Sequence, residues 1–200
     1  MVNPLILLLP GWQNSGPAHW QTAWERRHGY LRVEQHDWMR PLRGDWIARL
    51  QDTVLDLEAG RAPDAPARIV LVGHSLGCQL AAAWGAHGAL AHRIRGALLV
   101  APGDPQRDEL APVLASWSPV AAQALPFPAV VVASQNDPYC SFKRAGQFAA
   151  SWGAHLVDYG ATGHINADSG LGDWSDGHER LMALCRGDTA TAAAARAQRS

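Results

Sequence analysis

An α/β fold, about six parallel strands with helices on both faces and little or no lid, is predicted for this chain by three observations. Short, nearly continuous Val/Ile/Leu runs alternate with longer amphipathic stretches, the pattern of a parallel sheet buried on both sides. The run Ile69-Val70-Leu71-Val72 passes directly into Gly73-His74-Ser75-Leu76-Gly77, a G-x-S-x-G sequence set between a strand and a helix. With 200 residues, 48% hydrophobic and 18% charged, the chain is long enough for one domain with a substantial core and no disulfides.

The elements follow in order. Leu5–Leu9 is a buried strand, too short to span a membrane and without the basic start of a signal peptide. A helix over 17–28, a strand over 31–36 and a helix over 44–58 come next. The Pro- and Ala-rich stretch 60–67 is a connecting loop before the strand 69–72 and the helix that follows Ser75. Ile94–Val100, Ala129–Ala133 and 155–159 are further strands, and Phe142–Trp152 and 176–185 further helices. Residues 104–128 form a longer Pro-containing insertion with one short helix, and whether it covers a site is open at this stage. Residues 1–187 read as a single domain. The Ala/Thr/Arg-rich stretch 188–200 lacks an apolar face and reads as a flexible tail.

Composition narrows the function. The net charge of −1 offers no basic footprint for nucleic acid or an anionic membrane. Cys78, Cys140 and Cys185 match neither a metal spacing nor a disulfide framework, which suits a reducing compartment, the cytoplasm by default. The loop Gly11–Gly16 fits neither nucleotide-binding glycine pattern, Pro17 standing where a P-loop needs Lys. No cofactor and no metal are expected. Nine tryptophans serve mainly as core, with Trp12, Trp20 and Trp174 candidates for an apolar pocket wall.

The chemistry lies in three loops. A serine hydroxyl needs a base within hydrogen-bond reach, and the base needs an orienting acid. A serine on a sharp strand-to-helix turn is exposed, and the tight turn leaves room only for glycine at the flanking positions. Asp137 leaves the strand Ala129–Ala133 in the loop Ser134-Gln135-Asn136-Asp137-Pro138. His164 follows the next strand in Gly160-Ala161-Thr162-Gly163-His164. The order Ser75, Asp137, His164 is that of the α/β-hydrolase arrangement, each residue at the carboxyl end of a strand. Asp104 is the substitute acid, whereas Asp168 and Asp173 follow His164 and break the order. His74 takes a supporting role, and Cys78 reads as a small buried residue. For a developing oxyanion, Leu76 N–H at the helix start is one donor and Trp12 N–H, beside the turn at Gly11, the other. Gln13 or Asn14 could instead donate through their side chains.

The chain also resembles the small, lidless α/β-hydrolase-fold serine hydrolases of the retinoblastoma-binding protein nine and YdeN-like family. The resemblance spans about residues 4 to 186. It is carried by Leu9-Pro10-Gly11-Trp12 with Ser15-Gly16-Pro17-Ala18-His19-Trp20, by Val72-Gly73-His74-Ser75-Leu76-Gly77, and by Ala133-Ser134-Gln135-Asn136-Asp137-Pro138-Tyr139. Ala149-Ala150-Ser151-Trp152-Gly153-Ala154 and the more specific Gly163-His164-Ile165-Asn166-Ala167-Asp168-Ser169-Gly170-Leu171-Gly172-Asp173-Trp174 complete it. It implies a core lacking the first two strands of larger hydrolases, the triad Ser75, Asp137 and His164, and a hydrolase of unnamed substrate. Binding of the retinoblastoma protein does not carry over, because Leu76-Gly77-Cys78-Gln79-Leu80 ends in leucine where an L-x-C-x-E contact needs glutamate.

The sequence reading is thus a serine hydrolase that cleaves carboxylic esters through an acyl-enzyme, with a small, partly apolar ester as substrate. Two alternatives stand beside it: a catalytically weak interaction module on the same fold, and an acyltransferase using the same triad. Oligomeric state is not legible.

Overall fold

The computed structural model describes residues 4–194. Six strands, β1 (Leu5–Leu9), β2 (Leu31–Arg32), β3 (Ile69–His74), β4 (Ile94–Val100), β5 (Ala129–Ala133) and β6 (His155–Asp158), form one sheet in the order β2-β1-β3-β4-β5-β6. Every pairing is parallel. The helices are α1 (Trp20–His28), α2 (Arg43–Glu58), α3 (Leu76–Gly85), α4 (Ala111–Leu114), α5 (Phe142–Trp152), α6 (Ser175–Arg186) and α7 (Thr189–Ala193).

Alternation along the strands divides the core in two. Leu7, Leu9, Ile69, Leu71, Ala97, Leu99 and Val131 point to one face, where Trp46, Leu50 and Val54 of α2, Leu80 and Trp84 of α3 and Phe148 and Trp152 of α5 cover them. Ile6, Leu8, Val70, Val72, Leu98, Val100 and Val130 point to the other, under Trp20 and Trp24 of α1 and Leu181 and Leu184 of α6. With both faces covered, the central strands carry apolar residues at consecutive positions, which is why they read as unbroken runs. No helix among the described residues is long and apolar enough to cross a membrane.

The strand order reverses between β1 and β3. In open parallel sheets the crevice beyond such a reversal, at the carboxyl ends of the strands, is where ligands bind. Here it lies between the loop after β1 and the turn at Ser75.

Two expectations need revision. The predicted strand 31–36 shrinks to Leu31–Arg32, since only Leu7–Leu31 and Leu8–Arg32 pair at this sheet edge. The stretch expected as a tail is structured at its start. Asp188 caps α7 by accepting from Thr191 N–H, Ala192 is fully buried, and the Arg180 guanidinium donates to the carbonyls of Ala192 and Ala194. The remaining tail positions, 195–200, lie outside the described residues.

Helix α3 crosses the end of β1 so closely that its first turn tolerates no side chain at Gly77. A Cβ there would overlap the Leu9 carbonyl and lie 2.9 Å from the Pro10 carbonyl oxygen. Both obstacles are backbone, so relief requires moving α3 or β1. Gly77→Ala is expected to cost about 3 kcal/mol or more, a fall in melting temperature of roughly 6–12 °C for a domain of this size. Gly44→Ala in α2, where a Cβ meets nothing within 4 Å, is expected to leave the melting temperature unchanged or slightly raised. Equal melting temperatures for the two variants would contradict the close crossing.

Candidate active site

Ser75 sits between β3 and α3 with φ 54° and ψ −118°, a conformation that side chains other than glycine rarely adopt. It is held from both directions. Its N–H donates to the Val100 carbonyl on β4, and its own carbonyl accepts from Cys78 N–H in the first turn of α3. Gly11 and Gly103 leave the space around the hydroxyl. A Cβ at Gly11 would lie 2.8 Å from Ser75 Cβ, and one at Gly103 3.1 Å from Ser75 Oγ. Gly103 is fixed by buried Gln79, whose amide donates to its carbonyl at 2.8 Å.

Asp137 and His164 meet across two stapled loops. Ser134 Oγ donates to the Gly160 carbonyl and accepts from Thr162 N–H, and Asn136 Oδ1 accepts from Gly163 N–H at 2.7 Å. The loop leaving β5 is thereby tied to the loop leaving β6. His164 Nδ1 lies 2.8 Å and 3.0 Å from the two Asp137 carboxylate oxygens, and Tyr139 N–H donates to the same carboxylate. The Asp137 side chain is only 3% exposed. In a neutral imidazole, an Nδ1–H bonded to a carboxylate leaves Nε2 as the acceptor nitrogen.

His74 takes the supporting place expected of it. Its Nε2 lies 2.9 Å from the His164 carbonyl oxygen, which can only accept, so Nε2 carries the proton. Burial first, then the neighbouring His19 and His164, hold His74 far below the usual histidine pKa, in the neutral form this bond requires. His19, His74 and His164 stand in a row, with ring centroids 4.6 Å and 4.8 Å apart.

The competing candidates are engaged elsewhere. Asp104 forms an ion pair with Arg144 at 3.1 Å, Asp173 pairs with Arg27, and the Asp168 carboxylate accepts from the Asn166 amide. Cys78 is fully buried, its Sγ directed to the Val100 carbonyl, and burial pushes its thiol well above the ordinary range.

Leu76 N–H, the first of α3, and Trp12 N–H have no acceptor among the described residues, so both backbone donors of the sequence reading are unengaged. Trp12 is held in place by its indole, which donates to the Met39 carbonyl. Gln13 and Asn14 follow at φ 68° and 66°. Buried Gln21 of α1 ties this region to the sheet, its amide donating to the Leu9 and Val72 carbonyls while Ser15 Oγ donates to its oxygen.

A cavity of about 260 Å³ opens over these groups. Trp12, Leu76, Leu110 and Leu114 supply apolar lining, and Asn14, His19 and Asn166 polar lining, around Ser75 and His164. Trp20 and Trp174 do not line it. Both are buried in the core on the α1–α6 face, their rings 4.8 Å apart, with indole donors bonded to the Ile165 carbonyl and the Tyr159 hydroxyl. Leu110 and Leu114 come from the 104–128 insertion, which therefore forms one wall of the site without closing over it. Sequence reasoning missed Gly103, Gln79, Gln21, Ser134 and Asn136 as placing residues. The signal available for Asn136 was its position one residue before Asp137 in a strand-end loop.

The sheet, the crossing helix and the serine turn define an α/β-hydrolase fold. The model of the serine hydrolase family matches residues 6–183, and the chain belongs to that family. Among solved structures, one described as a YdeN-like hydrolase from Pectobacterium atrosepticum is 33% identical with TM-score 0.77, over 94% of this chain and 93% of that one. The ydeN gene product of Bacillus subtilis is 16% identical with TM-score 0.69, over 91% and 98% of the two chains. Esterase 2 of Thermogutta terrifontis is 18% identical with TM-score 0.62, over 94% and 85%. The last two show the fold alone. No curated protein matches the sequence significantly.

Neutral burial of histidine has a thermodynamic consequence. His19 is pushed down to about 3, by burial first and then by His164 and Arg32, against an ordinary value of 6.5. The unfolded chain therefore binds a proton below pH 6.5 that the folded chain refuses, and the folded state loses stability as pH falls from 6.5 towards 3. For this one group the slope approaches about 1.4 kcal/mol per pH unit. Urea unfolding across pH 4 to 7 should show a shallower slope in His19→Ser, which keeps a capping oxygen for α1. Equal slopes would contradict neutral burial.

Proposed function

We propose that this protein is an esterase in which Ser75, His164 and Asp137 act as a catalytic triad through an acyl-enzyme. The observation that carries the reading is the buried Asp137–His164 pair at 2.8 Å, with Ser75 on the wall of the same cavity in a strained turn. Membership of the serine hydrolase family supports it.

In the forward step Ser75 Oγ bonds to the acyl carbon as His164 Nε2 takes its proton. The electron pair of the carbonyl moves onto oxygen, where the unengaged Leu76 and Trp12 N–H groups are the donors at hand. Asp137 holds Nδ1–H and offsets the imidazolium charge. Collapse breaks the bond to the alcohol, which leaves with the proton from His164. Water then gives a proton to His164 and attacks the acyl carbon, and Ser75 regains its proton as the acid is released. Ser75 Oγ makes no hydrogen bond among the described residues. Such contacts often tighten only when substrate is bound.

The cavity sets the size of the ester. At about 30 Å³ per water-sized group, its 260 Å³ hold about nine groups shared between the acyl and alcohol parts, which suits a short acyl chain better than a fatty one. Esters of two to four acyl carbons are the expected optimum in a p-nitrophenyl series, and activity peaking at eight or more would refute the size argument.

Ser75→Ala is expected to abolish both p-nitrophenyl acetate turnover and fluorophosphonate labelling while leaving the melting temperature near that of the parent. Asp137→Asn should lower kcat by about 10³- to 10⁴-fold, and Asp104→Asn by less than about threefold. The reverse ranking of the two aspartates would move the acid to Asp104. Absence of labelling in the parent chain would favour the interaction-module reading, and ester formation with added alcohols would favour acyl transfer.

A further inference from the structure

One buried donor in the cavity is used by neither the fold nor the mechanism. The His19 ring is 5% exposed and lines the cavity beside Ser75 and His74. Its Nδ1 accepts from Gln21 N–H at 3.1 Å, capping α1, so Nδ1 carries no proton. In a neutral imidazole the proton then sits on Nε2, on the far side of the ring from the helix. That Nε2–H is buried and has no hydrogen-bond partner among the described residues. A buried donor without an acceptor costs on the order of 1–3 kcal/mol, and binding sites are where such groups find partners.

Asn14 presents a second donor to the same cavity. Its Oδ1 accepts from both Ser15 N–H and the Arg32 guanidinium. Arg32 is itself held by Glu25 and Thr22. This fixes the amide so that Nδ2 is the end left without a hydrogen-bond partner among the described residues. The guanidinium charge is met by Glu25, and His19 is neutral, so the pair offers hydrogen bonds without net charge.

We propose that His19 Nε2–H, with Asn14 Nδ2–H, forms a subsite for an uncharged oxygen on the acyl part of the substrate, making short oxygen-substituted acyl esters preferred over hydrocarbon esters of equal length. The acyl part is assigned because, in the proposed reaction, it stays attached to Ser75, which lines the cavity with His19 and Asn14, while the alcohol must leave. The apolar side of the acyl group would meet Trp12, Leu110 and Leu114. The proposal rests on Ser75 as nucleophile and goes beyond it in naming what the pocket reads.

The test compares pairs that differ only by CH₂ against O: p-nitrophenyl butanoate with methoxyacetate, and pentanoate with 3-methoxypropanoate. Each kcat/KM is divided by the ester's rate with hydroxide, which removes intrinsic reactivity. The parent enzyme is expected to favour the ether ester of at least one pair by about tenfold, one hydrogen bond's worth. In His19→Ser that ratio should fall to near one. A ratio near one in the parent for both pairs, or a ratio unchanged in His19→Ser, would overturn the subsite. Fluorophosphonate labelling of Ser75 is read in the same samples and reports separately on the nucleophile. Titration of the corresponding N-methyl amides onto Ser75→Ala, followed by NMR, reads the subsite without turnover: the methoxy amides should bind more tightly, and equal affinities within each pair would again overturn it.

Discussion

The site depends on one constrained turn of backbone. Between His74 on β3 and Leu76 on α3 the chain must reverse from strand to helix within a single residue, and Ser75 takes up the change at φ 54°. A non-glycine residue in such a conformation costs on the order of 1–3 kcal/mol and persists only where its surroundings determine it fully. Here the determination is visible. Val100 on β4 receives the Ser75 N–H, α3 is pressed onto the Leu9 and Pro10 carbonyls through Gly77, and Gly11 and Gly103 approach the side chain from either side. Loosening any of these would let the turn relax and withdraw the hydroxyl from the cavity.

The same constraint explains where everything else is placed. Because α3 lies against the end of β1, the loop after β1 is brought beside Ser75, and the unengaged N–H groups of Trp12 and Leu76 come to the same crevice. The sheet then supplies the partners by register. β4 ends beside the serine turn and leads into Gly103, while β5 and β6 end one and two strands further out and carry Asp137 and His164 on loops fastened by Ser134 and Asn136. His74, although inside the serine turn, faces the other way and donates to the His164 carbonyl. The strand that leads into Ser75 therefore also steadies the backbone of His164, which lines the same cavity.

Much of this was legible because it is local. β4, β5 and α5 fall where the apolar pattern puts them, and the three triad candidates follow from strand-end position and chain order. β3 extends two residues beyond its apolar run because Gly73 and His74 still pair with Leu99 and Val100, a fact about the neighbouring strand. Gly103, Gln79 and Gln21 were not legible because each acts across a gap in the chain that only the folded sheet closes. Trp20 and Trp174 show the converse error. Nearness in sequence to a site loop says nothing about direction, and both rings turn into the core between α1 and α6. The helix after Gly187 was missed because Thr and Ala carry no apolar stripe. Its one local signal was Asp188, a capping residue three positions before Thr191.

The row of three rings at the centre of the cavity also has an electrostatic logic. In the proposed reaction His164 becomes positive, and such a base is best surrounded by groups that do not themselves take up the proton. Burial keeps His19 and His74 neutral, and each neutral ring spends one nitrogen on backbone: His74 Nε2–H on the His164 carbonyl, His19 Nδ1 on the Gln21 N–H. Among the described residues, the carboxylate of Asp137 is then the one formal charge within hydrogen-bond reach of the His164 ring. Had His74 been charged, its repulsion would have opposed the imidazolium at His164 across a centroid separation of 4.8 Å. Removing solvent from His19 and His74, at a cost to stability in acid, thus leaves the two rings next to His164 uncharged.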